Sequence, residues 1–349
     1  MPAPRTPPLV APPPRHVYRW DLDKTYLRSE FATMRDLLKS AFEGAEKKQS
    51  VPGAAALLRE LKKDEGARVC FISGSPRQMR RVLQKKLALD GVDYDEFILK
   101  PNLGNLFRGR FRALREQVGY KLPALLAGRS GLPETTRETC FGDDAEADAF
   151  VYSLYADLIA GRVERALLEE VLSRARVYPD DAQRTLALVE AMPHADAVGR
   201  IFIHLDLRSP TARFERYGRR MLPIYNYFQA ALGLLEDGLI DADATVRVAL
   251  EMVDRFGYSL DALRNSLQDM MRRGRLHPET PRLLGARLAE GLDPLGSSPT
   301  TRELLVRFGA RLKALADAAP PWEGDPGPAR IDYLAALADD VPRRGRARS

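Results

Sequence analysis

Trp20-Asp21-Leu22-Asp23-Lys24-Thr25 is the stretch on which the reading of this chain turns. Two carboxylates stand two residues apart, directly after the apolar-aromatic run Val17, Tyr18, Trp20. Alternate residues of a strand share a face. Where a strand ends and the chain turns, both carboxylates can converge on one point. A carboxylate there can accept a phosphoryl group, and its neighbour can move a proton. Alone, the pair equally fits an acidic strand-to-loop turn, so the rest of the chain must supply partners.

Outward from that stretch, short apolar runs alternate with helical patterns. Residues 16–21 read as a strand, although Arg19 interrupts the apolar run. Phe31, Met34, Leu37, Leu38 and Phe42 recur at helical spacing and predict a helix over 30–47. Val51-Pro52-Gly53 breaks it, and a short helix follows over 54–63. Residues 68–72 predict a buried strand ending in Ser73-Gly74-Ser75-Pro76, a turn that opens a helix over 77–89. The N–H groups of such a helix start suit a phosphate, and the same residues also make an ordinary Ser/Pro cap.

Residues 96–99 predict a third strand, followed by a basic loop with Arg108, Arg110, Arg112 and Arg115. Tyr120-Lys121 is read as the start of a helix running through Leu126. Residues 138–141 predict a fourth strand that ends in Gly142-Asp143-Asp144-Ala145-Glu146-Ala147-Asp148, with a helix to about residue 159. Helices near 163–175 and 181–191 precede a fifth strand over 201–205, where His204 reads as structural. The alternation predicts an α/β fold: a parallel sheet with crossover helices. From about Arg213 the pattern is helical without a strand, near 213–235 (kinked at Pro223), 243–256, 259–273, 279–290, 299–317 and 330–339. Tyr217, Tyr225, Tyr227 and Phe228 read as core aromatics. The expected organisation is a disordered Pro-rich segment over 1–15, an α/β domain over 16–209, an all-α domain over 210–340 and a basic tail over 341–349.

Hydrophobic content of 45% and charged content of 29% fit a soluble globular protein. No run of 18 apolar residues is present, so no membrane span is expected. Met1 to Pro14 lacks the apolar core of a secretory signal. The net charge of +6 falls to +2 without Arg343, Arg344, Arg346 and Arg348, so the body is near neutral. That tail reads as a solubilising end, and it also suits an anionic lipid surface or nucleic acid. Cys70 and Cys140 sit in short apolar runs without metal-ligand spacing, and both read as reduced core residues of a cytoplasmic protein.

In a parallel sheet the strand C-termini share one edge, where ligands bind. Asp21/Asp23, Ser73 and Asp143/Asp144/Asp148 all follow predicted strand ends. Three or more carboxylates on one edge repel unless a cation joins them. Oxygen-only ligands favour a hard ion, and Mg²⁺ is the natural choice beside a phosphate.

Four signals occur here in the order of the haloacid dehalogenase superfamily of phosphatases, which the chain resembles. They are Asp21-x-Asp23-x-Thr25, Ser73 at the end of a hydrophobic strand, a lysine, and Gly142-Asp143-Asp144 with Asp148. Val51-Pro52-Gly53, Phe71-Ile-Ser-Gly-Ser-Pro-x-Gln78, Tyr120-Lys121 and Gly142-Asp143-x-x-x-x-Asp148 are similar to the App1-type phosphatidate phosphatase catalytic domain over roughly residues 16–160. The chain departs from that pattern at Lys24 and Arg77, where the family usually has an acid and an aromatic. It departs again at Ala145, where the family usually has glycine.

The resemblance implies a haloacid-dehalogenase-like sheet and a phosphatase that uses an aspartyl-phosphate. Asp21 would be the nucleophile and Asp23 the proton carrier. Mg²⁺ would be held by Asp21, the Asp23 backbone carbonyl and Asp143. Asp144 or Asp148 would orient a metal-bound water or the lysine, and Thr25 would hold the loop. Ser73, Gly74, Ser75 and Arg77 would bind phosphate. Lys121 is favoured over Lys100 as the lysine, on the ground that a helix start faces the sheet edge. Only 47 residues separate Thr25 from Ser73, and another 47 separate Ser73 from Lys121, too few for a sizeable cap. An open site suits a large substrate: phosphatidate, or a phosphorylated protein or polynucleotide end, nucleic acid being the less favoured. A binding protein that retains the site without turnover is the alternative of another class. In such a sheet the first strand lies between the second and fourth, so Cys70 and Cys140 would stand too far apart for a disulfide.

Overall fold

Val17, Tyr18 and Trp20 can all be buried only if both faces of their strand are covered. In the computed structural model, which describes residues 12–28, 49–100, 110–290, 299–318 and 330–340, this holds. The strand is β1, His16–Trp20, and every one of its residues is buried. It is followed by α1 (Ala54–Leu61), β2 (Ala67–Pro76), a 3₁₀ turn (Arg77–Met79), α2 (Arg80–Leu89), β3 (Glu96–Lys100), α3 (Arg110–Ser130) and β4 (Arg137–Asp143). Then come α4 (Asp148–Ile159), α5 (Arg165–Arg174), α6 (Pro179–Glu190) and β5 (Val198–His204). The six strands pair in parallel in the order β3-β2-β1-β4-β5-β6, β6 being Met221–Ile224. The α/β reading and the central place of β1 are therefore correct. The helix read over 30–47 lies outside the described residues.

Register explains the two faces of the sheet. Phe71, Trp20, Phe141 and Phe202 form one cross-strand row. Trp20 stacks on Phe141 at 3.8 Å and Phe141 on Phe202 at 4.9 Å between ring centroids. Each such aromatic pair adds about 1 kcal/mol beyond its buried area. The other face carries Ile72, Cys140 and Ile203 against Leu122 and Leu126 of α3 and Phe150 and Leu154 of α4. Cys70 and Cys140 are both register partners of Arg19, one on either side of β1, and both are free thiols.

The strandless reading from Arg213 onward is wrong at its start. In place of a kinked helix over 213–235 the chain forms a 3₁₀ helix (Thr211–Tyr217), then β6, then α7 (Tyr227–Glu236). Four residues, Met-Leu-Pro-Ile, are too few to show a strand period. Pro223 costs little because β6 is an edge strand. Asn226 caps α7 by accepting a hydrogen bond from the Gln229 N–H. The line drawn at residue 210 therefore falls before the last strand of the sheet.

The remaining helices are α8 (Ala242–Phe256), α9 (Leu260–Arg272), α10 (Glu279–Ala289), α11 (Pro299–Asp317) and α12 (Tyr333–Asp340). One apolar core runs from Trp20 and Leu57 through Phe228 and Met252 to Leu267, Leu284 and Phe308, so α7 to α11 cover the aromatic face, whereas α12 packs on the other face through Tyr333, Ala336 and Leu337. Tyr217, Tyr227 and Phe228 are core aromatics as read, whereas Tyr225 is 45% exposed. Among the described residues no helix is long and apolar enough to cross a membrane.

Burial lowers the His16 pKa to about 4, and the ring Nε2 lies 3.0 Å from Thr139 Oγ1. The unfolded chain takes up this proton near pH 6.5 and the folded chain only near 4. Between those values the unfolded state holds more protons, so stability falls as the pH drops from 6.5 toward 4. The full loss is about 3 kcal/mol. Urea unfolding at pH 7 and pH 4 should show it, and His16→Asn should remove that part of the slope.

Candidate active site

Each carboxylate is placed by the way its strand ends. The Asp21 N–H still donates to the Phe141 carbonyl at 2.9 Å, so the chain leaves the sheet just beyond Asp21. Residues 22–27 then close a tight turn. Tyr26 and Leu27 donate their N–H groups to the Leu22 carbonyl at 3.0 and 2.8 Å, and Lys24 N–H donates to Leu27 O at 2.8 Å. Lys24 takes the left-handed region, φ +60°, in this turn.

Two distant residues clamp that turn. Tyr227 Oη donates to the Thr25 carbonyl at 2.6 Å, and His204 Nδ1 donates to the Lys24 carbonyl at 2.8 Å. His204 is thus structural, as read, with Nδ1 carrying the proton. Thr25 Oγ1 reaches Asp143 Oδ2 at 3.5 Å and so links the first strand end to the fourth. Tyr227→Phe should leave the fold intact and lower turnover about tenfold or more, because the Thr25 carbonyl loses its donor and the Asp21–Thr25 turn loosens. Steady-state kinetics beside a thermal melt would check this.

Ser73 and Ser75 serve Asp23. Ser73 Oγ and Ser75 Oγ donate to Asp23 Oδ2 at 3.2 and 2.7 Å, and Ser75 N–H donates to Ser73 Oγ at 2.9 Å. Burial raises the Asp23 pKa, and the two hydroxyls only partly oppose it. A carboxyl in this balance is suited to give and take a proton. The expected helix start at residue 77 is corrected: β2 continues to Pro76 and the 3₁₀ turn intervenes before α2. Gly74 lies beside Gln117, and Arg77 is exposed directly after β2.

Lys121 is the lysine that reaches the carboxylates, but it does not sit at a helix start. It lies in mid-helix on α3, which begins at Arg110 and includes much of the expected basic loop. Its Nζ stands 2.9 Å from Asp21 Oδ1, 2.9 Å from Glu146 Oε2 and 2.5 Å from Asp148 Oδ1. Burial works against its charge, but Asp148, Asp21 and Glu146 outweigh burial and raise its pKa. Lys100 ends β3, two strands away from β1.

At the end of β4, Asp143 Oδ1 accepts the N–H groups of Ala145 and Glu146 at 2.6 and 3.0 Å. Asp148 Oδ2 accepts the Asp143 N–H at 3.2 Å. A Cβ at Gly142 would lie 2.5 Å from Asp148 Cβ, so this approach requires glycine. Asp148 therefore holds the lysine, as one of the two expected alternatives had it. Asp144 does not: its oxygens accept the N–H groups of Leu207 and Ser209 at 2.8 and 2.9 Å, and it secures the loop after β5. Glu146 lies in the quoted acidic run, yet the sequence assigns it no role. In the fold it joins Asp21, Asp143 and Asp148, with ligand oxygens all within 4.8 Å of one another.

The charges in this cluster do not balance. Four carboxylates face one buried ammonium. Burial drives the Asp21 and Asp143 carboxyls well above their usual range, and their acidic neighbours drive them further, Asp148 first for each. Both Asp21 oxygens are buried, and neither accepts a hydrogen bond. Crowded buried carboxylates that share a single ammonium, with Asp21 Oδ2 left without a donor, fit a hard divalent cation bound by oxygens.

Residues 20–169 match the family model described as phosphatidate phosphatase APP1, catalytic domain. The haloacid-dehalogenase-like placement agrees with that family. The match implies a phosphatase, that is, a hydrolase. It runs from the last residue of β1 into α5 and takes in every residue of the cluster. No curated protein and no solved structure matched the chain.

Proposed function

We propose that the chain, whose residues 20–169 match a phosphatidate phosphatase catalytic domain, is a Mg²⁺-dependent phosphomonoester hydrolase. It would work through an aspartyl-phosphate on phosphatidate or another large phosphorylated substrate. The observation that carries this is Asp21: both of its oxygens are buried without a hydrogen bond, at a strand end, 2.9 Å from an ammonium. A carboxylate kept for structure would have donors for both oxygens, and Oδ2 has none among the described residues.

In this reading an Asp21 oxygen attacks phosphorus, and a P–O bond to the leaving alcohol breaks. Asp23 gives its proton to the leaving oxygen. Asp23 then takes a proton from water as that water attacks the aspartyl-phosphate and frees Asp21. Lys121 holds Asp21 in place and offsets charge on the phosphoryl group. Asp148 and Glu146 fix the lysine. Ser73 and Ser75 hold Asp23 and border the phosphate, with Gly74 and Arg77 beside them. The Asp21 and Asp143 carboxylates and the Asp23 carbonyl would hold Mg²⁺, which when bound neutralises phosphate and nucleophile.

The test offers purified protein p-nitrophenyl phosphate, phosphatidate vesicles and 3′-phosphorylated DNA, with Mg²⁺ or with EDTA. Phosphate release from the first two with Mg²⁺ alone, and a Mg²⁺-dependent rise in Tm, are the expected results. Release from DNA alone would point to polynucleotide ends. No release from any substrate would leave a phospho-ligand-binding protein.

A further inference from the structure

The segment Arg77–Leu89 is unlike the other helical segments among the described residues. It holds Arg77, Arg80, Arg81, Lys85 and Lys86 and no acidic residue. Most other helices mix both signs, as in α5 (Arg165–Arg174) or α8 (Ala242–Phe256). Two of the five cations, Arg80 and Lys86, turn inward. Arg80 donates to the Phe97 carbonyl at 2.8 Å and lies 5.3 Å from the Phe97 ring centroid, and Lys86 pairs with Asp90 at 2.7 Å. Met79, Leu83 and Leu87 anchor the opposite face in the core.

The outward row is therefore Arg77, Arg81, Lys85 and Leu89, each four residues from the last along one helical ridge. All four are exposed, and Leu89 is 53% exposed. Among the described residues no ion pair involves Arg77 or Arg81. The row starts at the Ser73–Pro76 end of β2, beside Asp23, and runs about 20 Å down the molecule. A single phosphate needs one such cation. A row of this length with a bare leucine at its far end suits an extended anionic surface with an apolar layer beneath it.

We propose that this ridge is the face by which the protein lies on an anionic lipid bilayer, bringing the end of β2 beside Asp23 to the headgroup layer. The proposal rests on the phosphatase reading for its purpose but not for its measurement. Each Lys or Arg near such a surface adds about 1 kcal/mol, and salt screens the effect. The ridge differs from the Arg108–Arg115 segment, whose arginine side chains lie outside the described residues.

The experiment sediments the full chain with phosphatidylcholine vesicles, with or without phosphatidylserine, which is not a phosphomonoester. The wild type should partition to the anionic vesicles and release them at high salt. Arg81→Gln/Lys85→Gln should bind roughly 30-fold more weakly, Leu89→Ser should weaken binding further, and both variants should hydrolyse p-nitrophenyl phosphate as the wild type does. Equal partition of wild type and variants would overturn the proposal. So would tighter binding to single-stranded DNA than to the vesicles at the same salt. Ridge-dependent vesicle binding by a protein that releases no phosphate from any substrate would leave this face standing and remove the phosphatase reading.

Discussion

Asp21→Asn is expected to abolish phosphomonoester hydrolysis, by at least about three orders of magnitude, while the metal-free protein becomes no less stable than the wild type. The two effects have one cause. The Asp21 carboxylate is buried, has as its one close partner the Lys121 ammonium, and shares that ammonium and its surroundings with Glu146 and Asp148, beside Asp143. An amide of the same shape removes one of four crowded negative charges. Lys121 keeps Asp148 and Glu146 as partners, so its charge stays compensated. Relief of this kind stabilises by about 1–2 kcal/mol. The amide also removes a cation ligand, so the Mg²⁺-dependent rise in Tm should shrink. Three readings from two samples, phosphate release and melts with and without Mg²⁺, give the full signature. Hydrolysis that survives the substitution would remove Asp21 as nucleophile. A large loss of metal-free stability would mean that the carboxylate serves the fold.

Much of this site was legible in the sequence because its residues lie at strand ends, where an apolar run stops and a polar one begins. Asp21, Asp23, Ser73 and Asp143 each close such a run, and parallel pairing brings them to one edge. Lys121 was legible as a residue but not as a position, because the broken periodicity of α3 (polar Gln117, then Pro123 within the helix) hid a start eleven residues earlier. Tyr227 and His204 were beyond reach as clamps. Their hydrogen bonds to backbone carbonyls of the Asp21–Thr25 turn span 202 and 180 residues, and a carbonyl acceptor leaves no mark on residue identity. Asp144 misled because it neighbours Asp143. Adjacent residues at a strand end point to opposite sides, and Asp144 turns to the loop after β5. Strand β6 escaped because four residues that include proline resemble a kink in a helix, and only pairing with β5 reveals them.

Arg19, the residue that interrupts the apolar run of β1, anchors the second large effect: Glu138→Gln should destabilise the protein by about 3–5 kcal/mol. Glu138 is fully buried beneath the site. It accepts hydrogen bonds from Arg19 Nε at 2.9 Å and Tyr155 Oη at 2.9 Å, and Arg129 Nη1 lies 3.3 Å away. Burial works against the Arg19 charge, and Glu138 more than offsets it. Removing that one anion strands two buried guanidinium groups. Arg19→Met should behave differently. It leaves Glu138 with Arg129 and Tyr155, and it removes a buried Nη2 that has no partner. Its cost should stay below that of Glu138→Gln, since Glu138 keeps Arg129 as a counter-charge and no buried charge is left unpaired. The double substitution should cost less than the sum of the two singles, because Arg19→Met removes one of the two charges that Glu138→Gln would leave bare. Urea melts of the four proteins measure this coupling. The network also ties β1 and β4 to α3, through Arg129, and to α4, through Tyr155, the helices that carry Lys121 and Asp148. Glu138→Gln should therefore lower turnover in the protein that remains folded, whereas Arg19→Met should not. A Glu138→Gln protein as stable as the wild type would show that these buried charges are solvated by something other than one another.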